Sequence, residues 1–299
     1  MDEHAARLVA MSTAEPRLPT CYRHPGRETG LSCSECGRPI CTECMTPAAV
    51  GIRCPDHAGA GRRVAPPRIV RRTSSHVLDT PVTKILIALD VGIYLITAVQ
   101  GSGLNNPGGS LYTKWIMYGP LIDHGDWWRL ITPMFLHGFL LHLGMNMLAL
   151  WWIGRPVENY LGTTRYLLLY FVSGLAGSAG ALVQAPLSPA VGASGAIFGI
   201  LGAMLILEWQ HTGRFGGQAA TLIVINLVLN FAYNGAGGNI SIGAHIGGLI
   251  GGVLVTLAYA NWGRGHAAYG KVGLIGGAGL LAVVAASIVI AYWQVRGLA

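Results

Sequence analysis

Of the 299 residues 52% are hydrophobic and 11% charged, and the net charge is +7. Nineteen charged side chains fall in the first 81 positions and 14 in the remaining 218, so a polar, cysteine-rich segment precedes a portion apolar enough for a bilayer. Between Cys21 and His57 four Arg stand against four acidic residues; that balance excludes a polyanion-binding surface, and no nucleic-acid partner is expected.

In chain order, residues 1–20 are expected to be disordered. Met1 to Arg7 hold no apolar h-region, so the cysteines are expected in a reducing compartment, where metal ligation is favoured over disulfides. Residues 21–57 carry all six cysteines in spaced pairs with another Cys or a His: Cys21/His24, Cys33/Cys36, Cys41/Cys44 and Cys54/His57. Eight such ligands suffice for two tetrahedral structural zinc ions, and the spacing leaves their connectivity open. So short a domain has little apolar content and is expected to unfold without metal. Residues 58–80, with Pro66-Pro67 and Arg62, Arg63, Arg68, Arg71 and Arg72, form a basic linker placed to meet anionic lipid.

Residues 81–299 are expected to be an all-α polytopic membrane domain of seven transmembrane helices. The apolar runs lie near 82–99, 136–153, 166–184, 191–208, 219–235, 240–260 and 272–292. A cytosolic N-terminus places Arg155, Arg165, Arg214, Arg264 and Lys271 inside and only Lys114, Arg129 and Arg296 outside, as the positive-inside rule requires. The long outer connection, Gly101 to Phe135, contains Trp115, Trp127 and Trp128 and is expected to lie in the membrane interface.

Polar residues inside apolar runs must be paired or face a cavity. They are His137, His142, Asn146, Ser194, Asn226, Asn230, His245 and Asp90. Ser194, in Val191-Gly192-Ala193-Ser194-Gly195, opens the fourth run, where unpaired backbone N–H groups favour a developing oxyanion. His245 lies at a similar depth in the sixth run and is placed to act as the base that makes Ser194 a nucleophile. Gly195/Gly199 and Gly248/Gly252, each four apart, allow the two helices to approach closely. His142 and Asn146, one helical turn apart with His137 nearer the outer surface, suit an oxyanion hole. No acidic third member stands at that depth: Glu158 and Glu208 fall on the cytosolic side, and Asp123 and Asp126 in the outer connection. Asp90, midway along the first run, is read as a structural contact between helices.

Taken together, Trp128-Arg129, His137 with His142 and Asn146, Gly192-Ala193-Ser194-Gly195, and Ala244-His245 followed by Gly248 and Gly252 resemble the rhomboid family in order and spacing. The resemblance spans residues 82 to 299. It implies a six-helix core plus one C-terminal helix, with an active site that opens outward. It also implies a serine endopeptidase that cuts in or near transmembrane segments of membrane proteins. Ser194 would be nucleophile, His245 base, and His142, Asn146 and the Ser194 N–H oxyanion donors supported by His137, with no cofactor for catalysis. Phe198 stands where a tyrosine often packs on the catalytic histidine. The order of the eight N-terminal ligands is similar to a B-box-type finger, which implies that the first and third pairs share one zinc and the second and fourth the other. A cytosolic protein partner is expected for that domain. Two other readings are a catalytically silent rhomboid-like protein that binds membrane clients and a transporter. Such silent proteins usually lack the Ser and His present here, and the polar residues cluster toward one face instead of the midplane.

Overall fold

A computed structural model of the protein describes residues 18–48, 51–58, 80–262, 265–268 and 272–299. Most of the N-terminus expected to be disordered, nearly all of the basic linker with its five arginines, and Arg264 and Lys271 lie outside the described residues. The chain divides into two units, Met1–Thr73 and Ser74–Ala299.

In the first unit β1 (Thr20–Cys21) pairs antiparallel with β2 (His24–Glu28), and β3 (Thr46–Pro47) with β4 (Ile52–Arg53). Two-stranded ribbons this short do not persist alone in water. The core beneath them is Ile40 with Cys21, Cys33, Cys41, Cys44 and Cys54, against which Tyr22 and Ile52 pack. Around it Arg23 and Arg38 share Asp56, Arg27 pairs with Glu43 and Arg53 with Glu35; all are exposed, so each contributes little. The cysteines are the interior, which makes this unit's stability a question of what its sulfurs bind.

In the second unit a helix lies on each of the seven apolar runs: α1 (Pro81–Gln100), α4 (Leu140–Ala149), α6 (Thr163–Gln184), α7 (Ser194–Thr212), α8 (Gln218–Gly235), α9 (Ile242–Tyr259) and α10 (Leu274–Val295). Four of them, α1, α6, α9 and α10, are long and apolar enough to cross a membrane by themselves. The helix begun by α4 continues through a π turn, Leu150–Gly154, into α5 (Arg155–Leu161). Pro156 has no N–H to donate and crowds the preceding turn, and the wider turn accommodates both defects. Because α4 starts at Leu140, His137 stands in the extended segment ahead of it, not on the helix.

Two glutamates on the side opposite Ser194 hold the starts of neighbouring helices. Buried Glu158 accepts from the N–H groups of Val82 (3.0 Å) and Thr83 (2.8 Å) and from the Thr83 hydroxyl (2.7 Å) at the head of α1. Glu208 accepts from Ala219 N–H at the head of α8. Carboxylates so placed satisfy orphan donors and complement the helix dipole.

In the connection between α1 and α4, α2 (Gly109–Trp115) and α3 (Gly119–Asp123) precede two short turns, and Arg129 in the first of these ties it to α2. Its guanidinium bonds Asp126 and the carbonyls of Thr113 and Ile116, each at 2.8 Å, and Trp128 Nε1 donates to the Lys114 carbonyl. Trp127 and Trp128 remain exposed, as interfacial indoles would be.

Helices α6, α7 and α9 form the centre, and glycine makes their contact possible. A Cβ on Gly248 would lie 1.9 Å from the Gly195 carbonyl oxygen, and one on Gly252 2.0 Å from that of Gly199. Both obstacles are backbone and neither can swing away. Gly248→Ala is therefore expected to force α7 and α9 apart, costing about 1–3 kcal/mol of stability. A lowered thermal midpoint would register it; a native midpoint would contradict the contact.

Candidate functional site

Ser194 is the first residue of α7, and the turn that delivers it depends on Gly192, whose φ of +131° is open to glycine and strained for other residues. The turn is tied down by the Gly192 N–H donating to the Pro133 carbonyl at 2.9 Å. A Cβ at Gly192 would also meet His142 Nε2 at 2.8 Å. Glycine is thus required there twice, once for the backbone and once for the space occupied by an imidazole.

His245, one turn into α9, is 5% exposed, and its Nε2 lies 2.8 Å from Ser194 Oγ. The ring is held flat: Phe198, one turn after Ser194, stacks on it with centroids 4.3 Å apart and planes 7° from parallel. On the far edge, Nδ1 lies 2.7 Å from the side-chain amide of Asn230 on α8. Both ring nitrogens and one ring face are accounted for, so the imidazole is oriented before any substrate arrives.

The residues of the second apolar run gather on the other side of Ser194. His142 Nδ1 accepts from the Gly138 N–H at 3.4 Å, which leaves Nε2 to carry the hydrogen toward the Gly192 turn. Asn146 is buried, and its amide donates to the His142 carbonyl at 2.8 Å within its own helix. That bond uses one N–H of the amide, and the second remains to donate. His137 is fully buried edge-on to His142, with centroids 5.1 Å apart, and its ring nitrogens have no hydrogen-bond partner among the described residues. Asp90 is buried on α1 away from these groups, its carboxyl likewise without a hydrogen-bond partner among the described residues.

Asn230 is the site residue whose role sequence reasoning missed. It stands among the polar residues of the fifth run and is an amide, whereas the third member of such a site is commonly an acid. The available signal was the line Asn226, Asn230, Asn234, four residues apart and hence on one face of α8.

In the first unit the eight Cys and His side chains gather into two groups of four: Cys21, His24, Cys41 and Cys44, and Cys33, Cys36, Cys54 and His57. Pairs one and three thus share one site and pairs two and four the other. Within each group the donor atoms lie within 4.8 Å of one another, with contacts from 3.1 Å (Cys54 to His57) to 3.9 Å (Cys36 to Cys54). Tetrahedral zinc at its usual bond lengths places S and N donors about 3.6 Å apart and two sulfurs about 3.8 Å apart. Burial raises the Cys21 thiol, yet N–H groups of Cys41, Arg23 and His24 and the His24 ring, directed at its sulfur, bring it down to about 6, while burial and the Cys21 and Cys41 sulfurs push Cys44 in the same group up to about 11. Soft four-donor sets without an open position fit a structural zinc.

Comparison with known proteins agrees with the membrane unit. The Rhomboid domain family matches residues 124–262, a span that includes Ser194, His245 and the His137–Asn146 segment. The chain is 38% identical over 176 residues to the rhomboid protease GluP of Bacillus subtilis (strain 168), covering 59% of this chain and 34% of that relative. It is 37% identical over 136 residues to the rhomboid-family protein YdcA of the same organism, covering 45% of this chain and 68% of the relative. Rhomboid-like protease 1 of Toxoplasma gondii is 29% identical over 213 residues, 67% of this chain and 71% of the relative. The chain therefore spans about a third of GluP's length and about two thirds of the other two.

Proposed function

The chain belongs to the rhomboid family and is a multi-pass membrane protein, and from that premise we propose that it is an intramembrane serine endopeptidase working through Ser194 and His245. The observation that carries the reading is the 2.8 Å contact between Ser194 Oγ and His245 Nε2, made between helices whose residues are 51 positions apart. A serine hydroxyl is a weak nucleophile until a base takes its proton, and an imidazole at that distance is such a base.

The reaction follows from the site. Ser194 Oγ attacks the carbonyl carbon of a scissile peptide bond as its proton passes to His245 Nε2. The carbonyl oxygen becomes an oxyanion beside the Ser194 N–H at the head of α7 and His142 Nε2–H, joined by the second N–H of the Asn146 amide. Donors so placed are each worth about 10²–10³ in rate because the site is buried and pre-oriented. Collapse of the tetrahedral species breaks the C–N bond, and His245 gives its proton to the leaving amine. A water, deprotonated by the same nitrogen, then hydrolyses the acyl ester on Ser194. His137 supports His142 by edge contact.

The substrates are transmembrane segments of membrane proteins, presented to a site that opens to the outer side while the N-terminus is cytosolic. Arg155, Arg165 and Arg214 on the inner connections support that orientation. Domain limits follow the sequence reading: residues 1–20, the double-zinc domain 21–57, the linker 58–80 and the membrane domain 81–299. Two zinc ions held by the two Cys/His groups would brace the N-terminal domain, which serves as a docking module for a cytosolic protein.

The test is labelling of the purified, bilayer-reconstituted chain by a fluorophosphonate probe. Labelling of the native protein that disappears in Ser194→Ala and in His245→Ala is the expected result. A folded native chain that takes no label, or a Ser194→Ala variant that still does, would overturn the proposal.

A further inference from the structure

We infer that Asn230 is a positioning residue for His245, its side-chain amide deciding which imidazole nitrogen is bare and able to take the proton of Ser194. The inference rests on the dyad reading above and extends it to a helix that contributes no reacting atom.

Among the described residues the His245 ring makes two hydrogen bonds, to Ser194 Oγ at Nε2 (2.8 Å) and, at Nδ1, to the Asn230 carboxamide, whose Nδ2 is placed at 2.7 Å and whose Oδ1 reaches the same point when the amide is turned over. A neutral imidazole has one N–H and one bare nitrogen. If His245 is to accept the Ser194 hydroxyl proton, Nε2 must be bare, so the hydrogen resides on Nδ1 and that nitrogen needs an acceptor. The carboxamide of Asn230 supplies one when its Oδ1 faces the ring. With Nδ2 facing the ring, Nδ1 must be bare, and the Nε2–H then donates to Ser194 and cannot receive its proton. The two amide orientations occupy the same volume, so hydrogen-bond chemistry chooses between them. Only the oxygen-facing orientation is compatible with a base at Nε2. When the proton arrives at Nε2 the ring becomes imidazolium, Nδ1 keeps its hydrogen, and Oδ1 continues to accept it.

A neutral amide suits this place better than an acid. An aspartate in an apolar membrane interior carries a large desolvation cost, whereas an amide accepts the same hydrogen bond without charge. The arrangement is the Ser analogue of the Cys-His-Asn constellation found on other folds.

Asn230 is also set in register by its neighbour. Asn234, one turn on, clamps the connection from α8 to α9 by accepting from Ile240 N–H and donating to the Ile240 carbonyl, both at 2.7 Å. In α8 itself only Ala219 and Ile223 are buried, so side-chain packing holds this helix lightly, and its tie to the reacting end is the Asn230 bond to His245.

The experiment uses the full chain in bilayers and compares native protein with Asn230→Ala and Asn230→Asp. Four quantities are read: the rate of fluorophosphonate labelling, kcat and KM for a transmembrane peptide, and the ¹⁵N signals of histidine-labelled protein, which distinguish Nδ1–H from Nε2–H. Asn230→Ala is expected to lower labelling and kcat by about 10–100-fold, as loss of an orienting partner does, with KM nearly unchanged and the Nδ1–H signal replaced by a tautomer mixture. Asn230→Asp, whose carboxylate oxygen can accept from Nδ1–H as Oδ1 does but at a desolvation cost, is expected to restore the Nδ1–H signal and part of kcat. Native labelling and tautomer in Asn230→Ala would overturn the inference while leaving the dyad standing. So would an activity loss in Asn230→Ala with an unchanged tautomer. A native chain that takes no label, yet loses Nδ1–H in Asn230→Ala, would overturn the dyad reading and leave the positioning role.

Discussion

Ser194→Ala and His245→Ala are each expected to lower the rate of peptide-bond cleavage by on the order of 10⁴-fold or more, and the double variant to lose no more than either one. The reason is geometric. The 2.8 Å bond between Oγ and Nε2 makes the two side chains one reacting unit, so removing either partner removes the proton transfer that the other depends on. On the proposed reading the region around the Ser194 N–H and His142 would still polarise a carbonyl, with the nucleophile absent in Ser194→Ala and without its base in His245→Ala. Cleavage of a helical transmembrane peptide by reconstituted protein, followed by mass spectrometry, measures all three rates. Losses that multiply in the double variant would mean that the residues act independently; a native rate in either single variant would remove it from the reaction.

Metal removal is expected to have the largest effect on folding. The interior of the first unit consists of Ile40 and five cysteines, and the two hairpins over it pair only two residues on each of their shorter strands. Binding of structural zinc by finger peptides is worth about 10–16 kcal/mol at neutral pH, far more than so small an apolar core supplies. A strong chelator applied to the full chain is therefore expected to release two ions per chain, one from each Cys/His group. The amide signals of residues 21–57 should then collapse to those of an unfolded segment. Fluorophosphonate labelling of Ser194 should persist, because the membrane unit has its own core. Protected amides in the chelated protein would contradict the reading of these cysteines as the fold's support.

Much of this molecule could be read along the chain. Runs of apolar residues long enough for a bilayer mark helices wherever they occur, because a chain in lipid must satisfy its backbone internally. Each of the seven runs carries one, and the paired spacing of Cys and His marks eight metal donors. The glycines at 195, 199, 248 and 252 announced a close helix contact, since nothing larger permits backbones to meet, and the Gly248 position falls against the Gly195 carbonyl. Other features were not legible. His137 stands off the helix assigned to it because the helix begins only at Leu140. The π turn before Pro156 reflects a local conflict of hydrogen bonding that hydropathy does not register.

What the sequence determined by itself was therefore the local and the periodic: two kinds of chain, the number and positions of the apolar helices, the polar residues set against one end of them, and the metal-binding character of the first unit. What only the tertiary structure decided was partnership. Asn230 stands behind His245, and Glu158 and Glu208 cap helices other than their own. Spacing along one helix or knuckle constrains which side chains share a face. Contacts between residues 15 or 51 positions apart depend on how separate elements are turned and stacked, and that is set by the packing of the whole unit.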